Sequence, residues 1–195
     1  MPRIDNKTFY ESAIEKYGAT AKGVNWRSKV SQHIRFEVIL EMLPSKMHTH
    51  SIVDVGCGFG DFYTYLIRNN RKPKSYIGID SLDKMCEIAQ KTKQQIIKAD
   101  AIKDKLPHAD FYVCSGALNT LTKFETHIFI RKCLEASRIG FIFNALHGKE
   151  DSGNFNYLSF DDIYNIAGDL NAEVAELKDD YMEDDITVML IKSDN

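Results

Sequence analysis

Apolar positions along this chain keep two rhythms. From residue 51 onward, short apolar runs suited to buried strands alternate with stretches whose apolar residues recur at helical spacing. The runs predict strands over Ser51–Gly56, Ser75–Asp80, Gln95–Asp100, Asp110–Ser115, Arg138–Leu146, Glu173–Leu177 and Ile186–Ile191. The helical stretches are Asp61–Arg68, Leu82–Lys93, Lys123–Ala136 and Phe160–Asp169. Repeated strand–helix units joined by right-handed crossovers predict an α/β, doubly wound, mostly parallel seven-stranded sheet. Only Lys178–Asp185 separates the last two strands, so they should close the sheet as an antiparallel hairpin. Ahead of the first strand, Lys7–Tyr17 reads as a short helix capped by Asn6 and ended by Gly18. A second helix runs from the cap Ser28 to Leu43, where Pro44 stops it. Residues 1–44 should form a helical cap beside a core over 50–195, all within a single domain.

Composition narrows the class without naming a function. The 195 residues suffice for one full hydrophobic core, and 44% hydrophobic with 27% charged residues is ordinary for a soluble protein. A net charge of −3 supplies no global attraction for DNA or another polyanion. Cys57, Cys86, Cys114 and Cys133 are isolated, so neither a zinc site nor a disulfide framework is expected. With no signal peptide and no spanning segment read from the sequence, the expected location is cytoplasmic, off the membrane. The acidic stretch from Asp179 to Asp185 reads as a solvated hairpin loop.

The chemistry gathers where strands end, which is where open α/β sheets bind ligands. The first run breaks at Gly56-x-Gly58-x-Gly60 before a helix begins at Asp61. Glycines permit left-handed turns and close ligand approach, and the helix N-terminus offers free N–H groups. A dinucleotide loop would be G-x-G-x-x-G, but its third position here is Asp61, a poor neighbour for pyrophosphate. Asp54, two residues ahead of the loop, suits a cationic or amine-bearing ligand. Asp80 follows the second strand, 20 residues past Gly60. Its carboxylate either accepts from ribose hydroxyls or caps the next helix. After the third strand come Asp100 and Ala101, a carboxylate with backbone N–H groups, or simply a turn. Ser115-Gly116-Ala117 follow the fourth strand with small side chains, and Asn119 either orients a substrate or starts a turn.

Asp54-Val55-Gly56-Cys57-Gly58-Phe59-Gly60 resembles the first motif of class I S-adenosylmethionine (SAM) dependent methyltransferases. The resemblance covers about residues 50–146, and the terminal hairpin agrees with it. It implies a Rossmann-like methyltransferase fold with SAM as cofactor and S-adenosylhomocysteine as product. By that likeness Gly56, Cys57, Gly58 and Gly60 hold the methionine half of SAM, and Asp54 meets its amino group. Asp80 would take the ribose and Ser81 would also touch the cofactor, with Asp100 and Ala101 at the adenine; Met85 either lies against the adenine or is a core residue. Ser115 and Gly116 would border the point where SAM and its acceptor meet. The Asn/Asp-Pro-Pro-aromatic motif of nucleic-acid amino-methyltransferases is absent there, which argues against an adenine or cytosine amine as acceptor. A second likeness, to a group of small microbial methyltransferases, rests on Gly23-Val-Asn-Trp26-Arg27-Ser28, Gln32, Arg35-Phe36 and Gly60-Asp61-Phe62-Tyr63.

Residues ahead of the first strand often fold over SAM in that family. Arg35 or Arg27 would then fork onto its carboxylate, while Tyr10, Tyr17 and Trp26 wall the acceptor pocket. Each has a plainer reading, as a surface ion pair or a core aromatic. His147, just past the fifth strand, is the best-placed general base should the acceptor need one, although most loop histidines are simply exposed. The expected activity is methyl transfer to a small-molecule acceptor, with no metal. Alternatives are a protein or RNA methyltransferase, a nicotinamide-dependent oxidoreductase, and a non-catalytic SAM- or nucleoside-binding module.

Overall fold

The computed structural model describes residues 5–24, 28–148 and 155–193. Two helices, α1 (Asn6–Tyr17) and α2 (Lys29–Met42), precede the sheet. Asp5 rather than Asn6 caps α1, its Oδ1 accepting from the Lys7 and Thr8 N–H groups. Ser28 caps α2 in a reciprocal box with Ser31. Leu43 leaves that helix extended, the conformation a following proline imposes.

Strand and helix then alternate: β1 (Ser51–Val55), α3 (Asp61–Arg68), β2 (Ser75–Asp80), α4 (Asp83–Ala89), β3 (Gln95–Lys98), β4 (Ala109–Ser115), α5 (Lys123–Ala136) and β5 (Ser137–His147). The chain finishes with β6 (Tyr157–Leu158), α6 (Phe160–Asp169), β7 (Ala172–Lys178) and β8 (Asp185–Lys192). The helix expected to Lys93 ends at Ala89 and tightens into a 3₁₀ turn at 90–92, beyond which Lys93 is left-handed.

The sheet runs β3-β2-β1-β4-β5-β8-β7, parallel throughout except that β8 lies antiparallel between β5 and β7. The expected fold is therefore present, with an eighth, two-residue strand added. β6 joins β5 in parallel at Leu146 and His147, beyond the end of β4, whose last partner there is Asn144. Two residues carry no periodicity, which is why the pattern misses them.

The period-2 alternation of the strands divides the core. Val53, Val55, Tyr112, Cys114, Phe141, Phe143, Ile186 and Val188 face α5 and α6, with Phe129, Ile130 and Ile163 among the helical partners. Ile52, Phe111, Val113 and Ile142 face α2 and α3, against Phe36, Ile39, Phe62 and Leu66. On that second face the next inward positions toward the carboxyl edge are polar: Asp54, Ser115, Asn144, Thr187 and Asp185. A buried face that turns polar at one end marks where the site lies. Asp185 is thus a buried strand residue, not part of a solvated loop: it is 1% exposed and ion-paired with Arg35 of α2. The register places it one step before the apolar run, opposite Leu146.

Candidate active site at the carboxyl edge of the sheet

The loop after β1 holds three left-handed glycines, with φ of 75° at Gly56, 54° at Gly58 and 79° at Gly60. A Cβ on Gly56 would lie 2.6 Å from the Ala117 Cβ, and one on Gly60 2.8 Å from Thr92. Both the backbone twist and the packing therefore demand glycine. The loop opens onto a cavity of about 400 Å³, a size typical of small-molecule sites.

Two carboxyls stand at that cavity, Asp54 buried and Asp80 partly buried. Asp54 accepts a hydrogen bond from the Tyr76 hydroxyl. Burial lifts its pKa to about 7, the Tyr76 bond opposing and the charges of Asp80 and Asp61 adding to the rise. Asp80 accepts from the Gly58 N–H at 3.0 Å and the Leu82 N–H at 3.0 Å. Burial raises it to about 6, against the pull of those N–H groups. Asp80 both fastens the glycine loop and keeps unused lone pairs, since each carboxylate oxygen accepts more than one bond. Asp80 does not cap α4: the N-cap there is Leu82, with no side-chain cap bond, and Asp80 accepts from the Leu82 N–H ahead of the helix.

Most residues singled out in the sequence converge on this one volume. Gly56, Cys57, Gly58, Ser81, Met85, Asp100, Ala101, Ser115, Gly116, Asn119, Arg35 and Tyr10 line it together with Asp54 and Asp80. Gly60 does not line it but caps α3 behind the loop. Met85 is almost fully buried. Asp100 accepts from the Ile102 N–H at 2.9 Å and pairs with Lys103. Asn119 accepts from the Leu146 N–H at 3.0 Å through Oδ1 and from Asn156 N–H at 2.8 Å through its carbonyl. It ties the end of β5 to the residue ahead of β6 as well as lining the cavity. Tyr10 reaches in from α1 and bonds Thr120; burial, with the nearby charge of Asp80, pushes its pKa up to about 12.

Others fall elsewhere. Arg35 lines the cavity but is ion-paired with Asp185. His147 does not line it: Nδ1 contacts the Leu158 carbonyl at 2.7 Å, and the ring packs on Phe160 at 4.5 Å. A carbonyl only accepts, so Nδ1 carries the proton. Tyr17 is 41% exposed, beneath Lys16 and Lys22. Trp26 and Arg27 lie outside the described residues.

The sequence reading missed Phe9, Phe155, Thr120, Glu183 and Asp184, which also line the cavity. Only the fold brings these segments over the sheet edge.

The residues fit a sulfonium nucleoside. The cradle excludes side chains, and the carboxyls suit an ammonium and vicinal hydroxyls. The sequence of residues 52–140 matches the Methyltransferase domain family. No curated protein matches the chain. Among solved structures, a SAM-dependent methyltransferase from Mesorhizobium loti superposes with a TM-score of 0.66 at 17% identity, over 82% of this chain and 98% of that one. A SAM-dependent methyltransferase of Leishmania major gives 0.72 at 16%, over 93% and 82%. Magnesium protoporphyrin IX methyltransferase from Synechocystis PCC 6803, with bound SAM, gives 0.64 at 16%, over 99% and 86%. The domain match spans residues 52–140, and the solved structures share this chain's fold, that of SAM-dependent methyltransferases.

Proposed function

We propose that the cavity binds SAM and that the protein transfers its methyl group to a small-molecule acceptor. The observation that carries this reading is the single volume shared by Asp54, the glycine loop, Asp80 and the Asp100–Ala101 turn. In that arrangement Asp54 takes the ligand's ammonium and Asp80 its ribose hydroxyls. Asp100 and the Ala101 backbone take the adenine, whose ring lies against Met85.

Bound SAM supplies an electrophilic methyl carbon on a sulfur that leaves without charge. The protein's task is then to align the acceptor at ~3–3.5 Å and to exclude water. Ser115, Gly116 and Asn119 form the wall where the two substrates meet. Phe9, Leu121 and Phe155 supply the apolar surface for an organic acceptor. Tyr10 joins the same wall beside Thr120. A solved neighbour that methylates magnesium protoporphyrin IX shares the fold and acts on a small molecule. The likeness supports that class of acceptor without identifying one.

The test is a screen of small amines, alcohols and acids for release of S-adenosylhomocysteine. Turnover on such a compound supports the reading, whereas turnover only on protein or RNA replaces it. A rise in melting temperature with NADH but not with SAM would return the site to nicotinamide chemistry.

A further inference from the structure

Six polar side chains beneath the cavity are joined in one line whose direction is fixed at its far end. Arg35 of α2 is ion-paired with Asp185, both buried. Asp185, held as a carboxylate by that partner, only accepts. The Tyr181 hydroxyl must therefore donate to its Oδ1, at 2.5 Å. With its proton committed, the Tyr181 oxygen accepts from Thr187 Oγ1 at 2.8 Å. Thr187 in turn accepts from Asn144 Nδ2 at 2.5 Å, which fixes the orientation of the amide. Asn144 Oδ1 then faces Ser115 and takes the proton of its hydroxyl at 2.7 Å.

The strands are built for this line. Ser115 stands opposite Asn144 in the β4–β5 register, and Asn144 opposite Thr187 in the β5–β8 register. All three share the face that α2 covers, and Asn144 and Thr187 are fully buried. The first member of the line, Ser115, lines the cavity. Its proton is spent on Asn144, so toward the ligand its oxygen offers lone pairs and nothing else.

We infer that Ser115 positions the methyl acceptor by accepting a hydrogen bond from it, and that the acceptor is an amine carrying an N–H at the reacting nitrogen. This rests on the methyltransferase reading above. Three features select an amine among hydrogen-bond donors. A neutral amine holds a lone pair and an N–H on one atom, so one contact with Ser115 aims the other electrons at the methyl carbon. An amine also needs no base during attack, and a carboxamide in the line cannot carry a proton away. Finally, Glu183 and Asp184 line the same cavity, and among the described residues neither has an ion-pair partner. They favour an approaching ammonium and oppose a carboxylate or phosphate.

The step balances. The ammonium first gives a proton to water, and the nitrogen lone pair then forms the N–C bond. The carbon–sulfur bond breaks with its electron pair passing to sulfur, which neutralises the sulfonium. The products are S-adenosylhomocysteine and an N-methylammonium, which loses its proton to water.

The test uses the protein saturated with S-adenosylhomocysteine and three probes of one skeleton: benzylamine, benzyl alcohol and benzoate. Binding is read by ligand-detected NMR. Benzylamine should bind at least about tenfold more tightly than benzoate, as expected for a charge-assisted hydrogen bond in a negatively charged cavity. Ser115→Ala should cut the preference of benzylamine over benzoate by about fivefold or more, and Ser115→Thr, which keeps the hydroxyl, should restore it. Benzoate bound as tightly as benzylamine, or no probe bound while S-adenosylhomocysteine is bound, overturns the inference and leaves the methyltransferase reading standing. Failure of S-adenosylhomocysteine itself to bind removes both.

Discussion

Asp54→Asn separates charge from shape at the centre of the proposed site. The carboxyl is buried against Tyr76, and burial lifts its pKa from 3.8 to about 7. A folded pKa above the unfolded one contributes stability that is complete below about pH 4 and is lost as pH rises through about 7. A shift of roughly three units corresponds to on the order of 4 kcal/mol. The asparagine keeps an acceptor for the Tyr76 hydroxyl and stays neutral. Ligand-free, the variant should therefore melt about 10 °C above the wild type at pH 8, with the difference vanishing near pH 3.5. Ligand binding should show the opposite order. The ammonium of S-adenosylhomocysteine requires the ionised carboxylate, so wild-type affinity should fall about tenfold from pH 7 to pH 6, about fivefold of it through Asp54. In Asp54→Asn that step should shrink to less than about twofold, the share left to Asp80 with its pKa of about 6. At pH 7 the variant should bind about tenfold or more weakly, the worth of a charge-assisted hydrogen bond. Thermal scans and calorimetry at the same pH values read both effects. Wild-type affinity equal at pH 6 and pH 7, or an equal fall in the variant, refutes the assignment of Asp54 to the ammonium.

Gly56→Ala places a side chain on a left-handed residue 2.6 Å from the Ala117 Cβ. The backbone cost alone is about 1–2 kcal/mol, so melting should drop, and calorimetry should show at least about tenfold weaker S-adenosylhomocysteine binding. Asp185→Ala removes one half of a buried ion pair, the carboxylate that meets Arg35. Urea unfolding should show a loss of roughly 3–5 kcal/mol, far more than truncation of an exposed acid. His147→Ala should leave the pH profile of methyl transfer unaltered, because its ring turns to Leu158 and Phe160, away from the cavity wall. A lost limb in that profile would restore it as a base.

The sheet was legible because its cues are local and repeated. Apolar runs of strand length ending in Gly56, Asp80, Asp100 and Ser115 announce both the βα units and the ligand edge. Helix ends were readable for the same reason, as the Ser28 box shows. What escaped depends on distant partners. Asp185 looks solvated among four other acids, and only the pairing of β8 with β5 carries it inward to Arg35. Asn144 and Thr187 interrupt apolar runs as single polar residues, a pattern equally common at solvent-facing strand positions. Their meaning appears once α2 covers that face. His147 illustrates the reverse error: a residue at the end of a strand need not point into the edge cavity, since the two-residue β6 takes its ring nitrogen. The second layer of the cavity, from Phe9 to Asp184, comes from segments separated by most of the chain.

The most direct test is a crystal structure of the protein with S-adenosylhomocysteine. The account predicts the amino-acid tail over Gly56–Gly58 beside Asp54, the ribose hydroxyls on Asp80 and the adenine at Asp100–Ala101. A nucleoside bound elsewhere, or an edge cavity that stays closed to it at saturating ligand, would contradict the account.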